Sequence, residues 1–221
     1  MSHEFRTPLN AILGFSEMMR AQYFGPLGSE NYIDYAKDIH DSGEHMLALV
    51  NDVLDIAAIE AGKRDYLKEA LNLNELLKDC IKSIEKTAID DGIQLLSEIP
   101  AELPTLFADK RSMVQIVLNI LYNAIKFTNL NGTITVSVNV KNSEIAISVK
   151  DTGIGIPADK LSVITQPFMQ ASSNPHKAQA GTDLGLSIVK SLAESNGGRL
   201  NIDSEVQKGT TVTVTFPLHS A

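Results

Sequence analysis

At 221 residues the chain has room for one or two domains. Its composition, 43% hydrophobic with no tryptophan and 5% aromatics, predicts aliphatic cores. A net charge of −8 without any basic run argues against a surface for a phosphate backbone, so nucleic acid is not an expected partner.

The first predicted helix covers residues 3–22. Phe5, Leu9, Ile12, Ser16 and Met19 recur at alternating spacings of four and three, an apolar seam at the coiled-coil period. His3 lies about 200° around the helix from Phe5, so it points away from that seam with Thr7 and Asn10 on its side. Glu4 adjoins it, and Pro8 is expected to kink or loosen the helix one turn on. An exposed imidazole beside a carboxylate is a nucleophile with a nearby proton acceptor. A solvated histidine beside a solvated glutamate is the plainer alternative. Only Met1 and Ser2 precede His3, which places it on a helical turn that frays readily.

Phe24-Gly25-Pro26-Leu27-Gly28 is a strong turn cluster. Ser29 or Glu30 then opens a long helix to about Gly62, with its seam at Tyr35, Ile39, Ser42, Met46, Leu49, Val53 and Ile56. Two such seams predict a helical hairpin. Leu47, Val50 and Leu54 form a further apolar stripe, which two hairpins would cover as a four-helix bundle, hence a homodimer. Packing of that stripe on the rest of the same chain is the alternative.

From residue 63 the pattern changes. Residues 73–89 read as a helix containing the single cysteine, Cys80, a buried structural thiol by its apolar surroundings. A strand at 93–99, a loop at 100–104, a short strand around Leu106 and Phe107 and a helix at 109–127 follow. Strands at 133–140 and 144–150 lead to Asp151-Thr152-Gly153-Ile154-Gly155-Ile156-Pro157 and a short helix. A polar stretch spans 166–183, a helix spans 184–195 with Gly197-Gly198 as its C-cap, and strands at 199–204 and 210–216 close the chain. Helices with mostly antiparallel strands and no regular βαβ repeat predict a two-layer α/β sandwich, and an α+β chain overall. No apolar stretch reaches the ~18 residues of a membrane span and no signal peptide precedes the first helix, so a soluble, cytoplasmic piece is expected.

Four segments of this second part share a nucleotide-binding chemistry. Asn119 and Asn123 stand four apart on one helix face with Lys126 three further on. Amide oxygens suit Mg²⁺ and a lysine suits phosphate. Asp151-Thr152-Gly153-Ile154-Gly155 ends a strand with a carboxylate able to accept an adenine amino hydrogen, and its glycines admit close backbone approach. Gly181-Thr182-Asp183-Leu184-Gly185 leads into a helix whose N-terminal amides suit phosphate. The polar stretch between the glycine segments, anchored by Phe168, has the length of an active-site lid. Each pattern alone has an ordinary reading as surface polar residues, an Asp-Gly turn or a flexible loop.

In order and spacing, these segments and the hairpin resemble the sensor histidine kinases of two-component systems over essentially the whole chain. Residues 2–10 resemble the phosphoacceptor H box, 119–127 the N box, 151–156 the G1 box, Pro167-Phe168 the F box and 181–186 the G2 box. The turn at 24–28 with Tyr32, Tyr35-Ala36, Asp38-Ile39 and Ser42-Gly43 is similar to the alphaproteobacterial cell-fate kinases of that superfamily.

The resemblance implies a dimerisation and phosphotransfer domain over 1–66, truncated at its start, and a Bergerat-type ATP-binding domain over 67–221. It implies that His3 attacks the γ-phosphate of ATP, that Glu4 is the base, and that Thr7 orients water when the partner is dephosphorylated. It further implies that Asn123 holds Mg²⁺, that Asn119 and Lys126 sit by the phosphates, and that Asp151 reads adenine. Gly153, Gly155, Phe168, Lys177, Gly181, Thr182, Gly185 and Leu186 complete the implied nucleotide site. The phosphoryl group then passes to an aspartate of a separate response regulator, and this part of the chain makes no membrane contact, although a longer parent can be membrane-anchored.

Two departures stand out. Asp183 replaces the middle glycine of the G2 pattern. A carboxylate about 4 Å from a phosphate is repelled by ~1 kcal/mol in water and ~4 at intermediate dielectric. That amounts to about tenfold to several-hundredfold in affinity. An alternative reading follows, a degenerate kinase that binds or dephosphorylates a response regulator; an ATPase of the chaperone or topoisomerase class is a further one. The lid also offers only His176 and Lys177 where relatives place an arginine, and a lysine gives a point charge in place of a bidentate contact.

Overall fold

Hydrophobic periodicity sorts the chain into a helical part and a mixed part, and its contacts divide at the same region, into Met1–Ala61 and Gly62–Ala221. The structure, a computed structural model, describes residues 2–62, 64–167, 169 and 184–218, with the backbone alone at 2–8, 30, 45 and 60.

The first unit is an antiparallel pair, α1 (Ser2–Arg20) and α2 (Glu30–Glu60). Its turn uses left-handed backbone at Gln22, Gly25 and Gly28, as the glycine cluster predicts. Helix α1 continues through Pro8 without a break, where a kink is expected from the sequence. The missing proline N–H leaves the Glu4 carbonyl without its helical donor.

The expected seam of α2 does not face α1. Tyr35, Ile39, Met46 and Val53 are exposed, whereas Ala36 and Gly43 are buried. The small residues decide this. A Cβ on Gly43 would stand 3.1 Å from Leu13 Cδ2, so the two helices approach closely where α2 has least side chain. Ser16 fills the same interface, donating to the Leu13 carbonyl at 2.9 Å and lying 3.3 Å from His40 Nδ1. The Ala36–His40–Gly43–Leu47 row, whose end is the stripe read as the outward one, is thus the inner row of the hairpin.

The second unit opens with β1 (Lys68–Leu71), which pairs antiparallel with β3 (Leu106–Asp109). This strand is not apparent from the sequence. Lys68, Glu69 and Ala70 are exposed and show no alternation, and only Leu71 is buried.

The main sheet has the order β2-β4-β5-β7-β6, built from Gln94–Glu98, Thr133–Lys141, Glu144–Asp151, Gly209–Pro217 and Arg199–Glu205 respectively. Its pairings are antiparallel except β2–β4, which is parallel. Rows of inward residues cross it, among them Val136–Val149–Val212–Ile202. The other face carries threonines and serines, with Ser148 and Thr213 hydrogen-bonded at 2.9 Å.

Helices α3 (Leu73–Asp90), α4 (Lys110–Phe127) and α6 (Gly185–Ser195) bury apolar faces in this unit, giving the two-layer sandwich; α5 is the short Ala158–Leu161. Cys80 is buried, as expected, and burial with the charge of Asp79 pushes its thiol up to about 11. Asp109 caps α4, accepting from the Ser112 amide at 2.8 Å and hydroxyl at 2.7 Å. Its second oxygen accepts the Leu67 amide at 3.1 Å, and its own amide donates to Asn196 at 2.9 Å. One residue therefore joins three places: its carboxylate ties the segment entering the unit to α4, and its backbone amide reaches the end of α6. Among the described residues, no helix is long and apolar enough to cross a membrane.

Candidate functional site

The inward rows of the sheet are aliphatic until its last one, which turns polar. Ile134 pairs with Asp151, Thr210 follows one residue beyond the Lys150–Thr211 pair, and Ser204 pairs with Thr210. Asp151, Thr210 and Ser204 therefore stand side by side on the inner face, at the end of β5, β7 and β6.

Asp151 is 6% exposed. Burial raises its pKa, against the pull of backbone N–H groups of Gly153 and Thr210. Both amides donate to Oδ1, at 2.8 and 3.2 Å. Among the described residues these donors reach Oδ1 only, which leaves Oδ2 for an incoming donor such as an exocyclic amino group.

The turn after Asp151 is clamped on both sides. The Ile154 amide donates to the Phe127 carbonyl at 3.1 Å, the Gln207 amide donates to the Ile154 carbonyl at 2.8 Å, and the Ile156 amide donates to Ser204 Oγ at 2.8 Å. A Cβ at Gly153 would come within 2.2 Å of the Phe127 carbonyl, and one at Gly155 within 2.1 Å of the Glu205 carbonyl. These two glycines are thus demanded by close backbone approach.

On α4, Asn119 and Asn123 are half-buried and face the head of α6. Asn119 Nδ2 lies 3.5 Å from the Gly185 carbonyl, a long contact, and a Cβ on Gly185 would stand 3.3 Å from Asn123 Nδ2. A side chain at Gly185 would press on the Asn123 amide, which would have to give by a few tenths of an ångström. Leu186 lies in the first turn of α6, whose leading amides lack helical partners. The Lys126 ammonium lies 4.9 Å from the Phe127 ring centroid, one helical turn past Asn123. The amide oxygens of Asn119 and Asn123 are hard, neutral ligands of the kind a Mg²⁺ carried by phosphates accepts.

The fold therefore brings Asn119, Asn123, Lys126, Asp151, Gly153, Gly155, Gly185 and Leu186 into one unit along α4. Phe168, His176, Lys177, Gly181, Thr182 and Asp183 lie outside the described residues. His3, Glu4 and Thr7 lie on the first two turns of α1, where the backbone is helical.

Sequence reasoning missed Thr210, Ser204 and Gly209. Gly209 has φ +109°, and a Cβ there would come within 2.0 Å of the Asp151 carbonyl. The signal was available in Lys208-Gly209-Thr210, a glycine at the head of a strand with a hydroxyl behind it. Strand periodicity alone makes Thr210 an ordinary strand start and leaves Lys208 and Gly209 in the turn before it.

The His Kinase A (phospho-acceptor) domain family matches residues 1–62, and the family of histidine kinase-, DNA gyrase B- and HSP90-like ATPases matches residues 108–220. The Non-motile and phage-resistance protein of Caulobacter vibrioides is 45% identical over 222 residues, 99% of this chain and 26% of its own length. Cell-division control histidine kinase PdhS of Brucella suis is 41% identical over 226 residues, 98% of this chain and 22% of its own. The chain thus spans about a quarter of these curated relatives. Full-length ShkA, solved with AMPPNP, superposes with a TM-score of 0.82 at 30% identity, over 100% of this chain and 45% of that one.

Proposed function

Since the chain belongs to the histidine kinase-, DNA gyrase B- and HSP90-like ATPases and carries a His Kinase A phospho-acceptor domain ahead of that fold, we propose that it is the core of an autophosphorylating protein histidine kinase. Residues 1–66 form the phosphotransfer and dimerisation domain and 67–221 the ATP-binding catalytic domain. The observation that carries the reading is Asp151, a buried carboxylate with one oxygen open, beside a glycine turn and the Asn119–Asn123 face of α4.

Asp151 binds the adenine amino group. Asn123 holds Mg²⁺, which neutralises triphosphate charge when bound, while Asn119, Lys126 and the head of α6 at Gly185 and Leu186 orient the phosphates. Gly181, Thr182, Phe168 and Lys177 complete the site. An imidazole nitrogen of His3 attacks the γ-phosphorus. The N–P bond forms as the bond to the β,γ-bridging oxygen breaks, ADP leaves, and Glu4 takes the imidazole proton. The phosphoryl group then passes to an aspartate of a response regulator receiver domain. Thr7 orients water for the reverse duty, hydrolysis of that acyl phosphate. ATP and a receiver partner imply action in the cytoplasm. The kinase names borne by relatives such as PdhS support this reading.

Incubation with Mg²⁺ and γ-labelled ATP tests it. Acid-labile, base-stable label is expected on the chain and is lost in His3→Gln. Absence of label in the unaltered chain, with label gained in Asp183→Gly, would overturn it in favour of a degenerate, regulator-binding protein. Release of free phosphate without any phosphoprotein would point instead to a simple ATPase.

A further inference from the structure

Ser204 touches three groups at once. Its Oγ lies 2.8 Å from the Ile156 amide, 3.0 Å from the Gly209 carbonyl and 2.8 Å from Thr210 Oγ1. A serine hydroxyl has one proton and two lone pairs. The amide can only donate and the carbonyl can only accept. Satisfying all three therefore requires that Ser204 gives its proton to Gly209 and accepts from both Ile156 and Thr210. The opposite assignment sets two lone pairs against each other at the Gly209 carbonyl.

This fixes Thr210 as well. Its single hydroxyl proton is committed to Ser204, and its amide to Asp151 Oδ1. What Thr210 can offer beside Asp151 on the inner face is a lone pair. We infer that Ser204 is a positioning residue that sets the hydroxyl polarity of Thr210, so that the Asp151–Thr210 row presents acceptors only and selects a purine with an amino group at position 6 over one with a carbonyl there. With the purine held in one orientation by its ribose and phosphates, adenine sets its 6-amino N–H bonds against such a row, whereas guanine sets its O6 carbonyl, a further acceptor, in the same place. The same hydroxyl ties the Asp151 glycine turn, through Ile156, to the turn between β6 and β7. The inference rests on the nucleotide reading proposed above.

Calorimetric titration of the whole chain with Mg²⁺ and either ATP or GTP tests it. Ser204→Ala frees the Thr210 proton to turn outward. ATP affinity is expected to fall about five- to tenfold, while GTP binding holds or improves, so the ATP-over-GTP preference narrows at least as much. Ser204→Thr, which keeps the hydroxyl, restores both. Thr210→Val also narrows the preference, and adding Ser204→Ala to it narrows it no further. Equal weakening of both nucleotides in Ser204→Ala marks a merely structural serine and overturns the inference, as does an unchanged preference. Should Ser204→Ala fail to fold by thermal melting, Thr210→Val decides: a retained preference there is equally fatal. An unaltered chain that binds no nucleotide refutes the nucleotide reading itself, whereas normal ATP binding with an indifferent Ser204→Ala refutes only the role of Ser204.

Discussion

At the scale of single residues, two buried aspartates respond to pH in opposite senses. Desolvation is the largest influence on Asp109, yet hydrogen bonds from Ser112 and Leu67 and the nearby Arg64 charge together hold its carboxyl below the ordinary range. A depressed folded-state pKa gives stability that is present above the unfolded value, about 3.9, and lost as pH falls through the folded one. Asp109→Asn should therefore destabilise at neutral pH by about 1.5–3 kcal/mol and flatten the acid limb of a pH-dependent urea melt. Asp151 is the reverse case. Its folded pKa is raised by burial, so the stability linked to its protonated form is complete below the unfolded value and is lost as pH rises through the folded one. Asp151→Asn removes a buried charge while keeping an oxygen for Gly153 and Thr210. We expect it to melt at or above the temperature of the unaltered chain at neutral pH, by up to ~1 kcal/mol, while nucleotide binding is lost in titration. A site residue that costs stability is what a nucleotide-reading carboxylate should look like, and a residue conserving only the fold should not.

At the scale of elements, the hairpin leaves a row of α2 open: Tyr35, Ile39, Met46 and Val53, with Ile12 and Met19 exposed on α1. Such a row at heptad spacing is what a second hairpin would bury in a four-helix bundle. Ile39→Glu with Met46→Glu should shift sedimentation from dimer to monomer, while helical circular dichroism of the Gly62–Ala221 unit persists. These elements also show what the sequence could carry. Helix α4 was legible because its apolar positions 113, 116, 117, 120 and 124 recur at helical spacing behind a capping aspartate. The candidate site residues on it drew notice by their chemistry, since two asparagines inside a helix need a reason to be there, and the family resemblance supplied their proposed roles. The facing of α2 was not legible, because periodicity finds apolar rows but not which row a neighbour can approach. Ala36 and Gly43 decided that by being small, and small residues add little to an apolar pattern. β1 was hidden for a related reason: three of its four residues are exposed, so its pairing with β3 rests on backbone hydrogen bonds that leave no trace in composition.

At the scale of the whole molecule, the chain is two units, each with its own contacts. We expect calorimetry to resolve two unfolding transitions instead of one. Mg²⁺ and ATP should raise only the transition of the Gly62–Ala221 unit, and dilution should lower only that of the hairpin, because each unit answers to a different binding equilibrium. A single transition moved by both treatments would contradict this division. Within the larger unit, the strand β7 alternates threonine with valine, Thr211, Thr213 and Thr215 against Val212 and Val214. Its backbone could pair one residue out of step with almost the same ladder, and every side chain would then change faces. Gly209 guards against that error. A shift in either direction would bring Lys208 or Thr210 to the place where a Cβ falls within 2.0 Å of the Asp151 carbonyl. The glycine thus admits a single register of β7 at the row that carries Asp151, the residue proposed to read adenine.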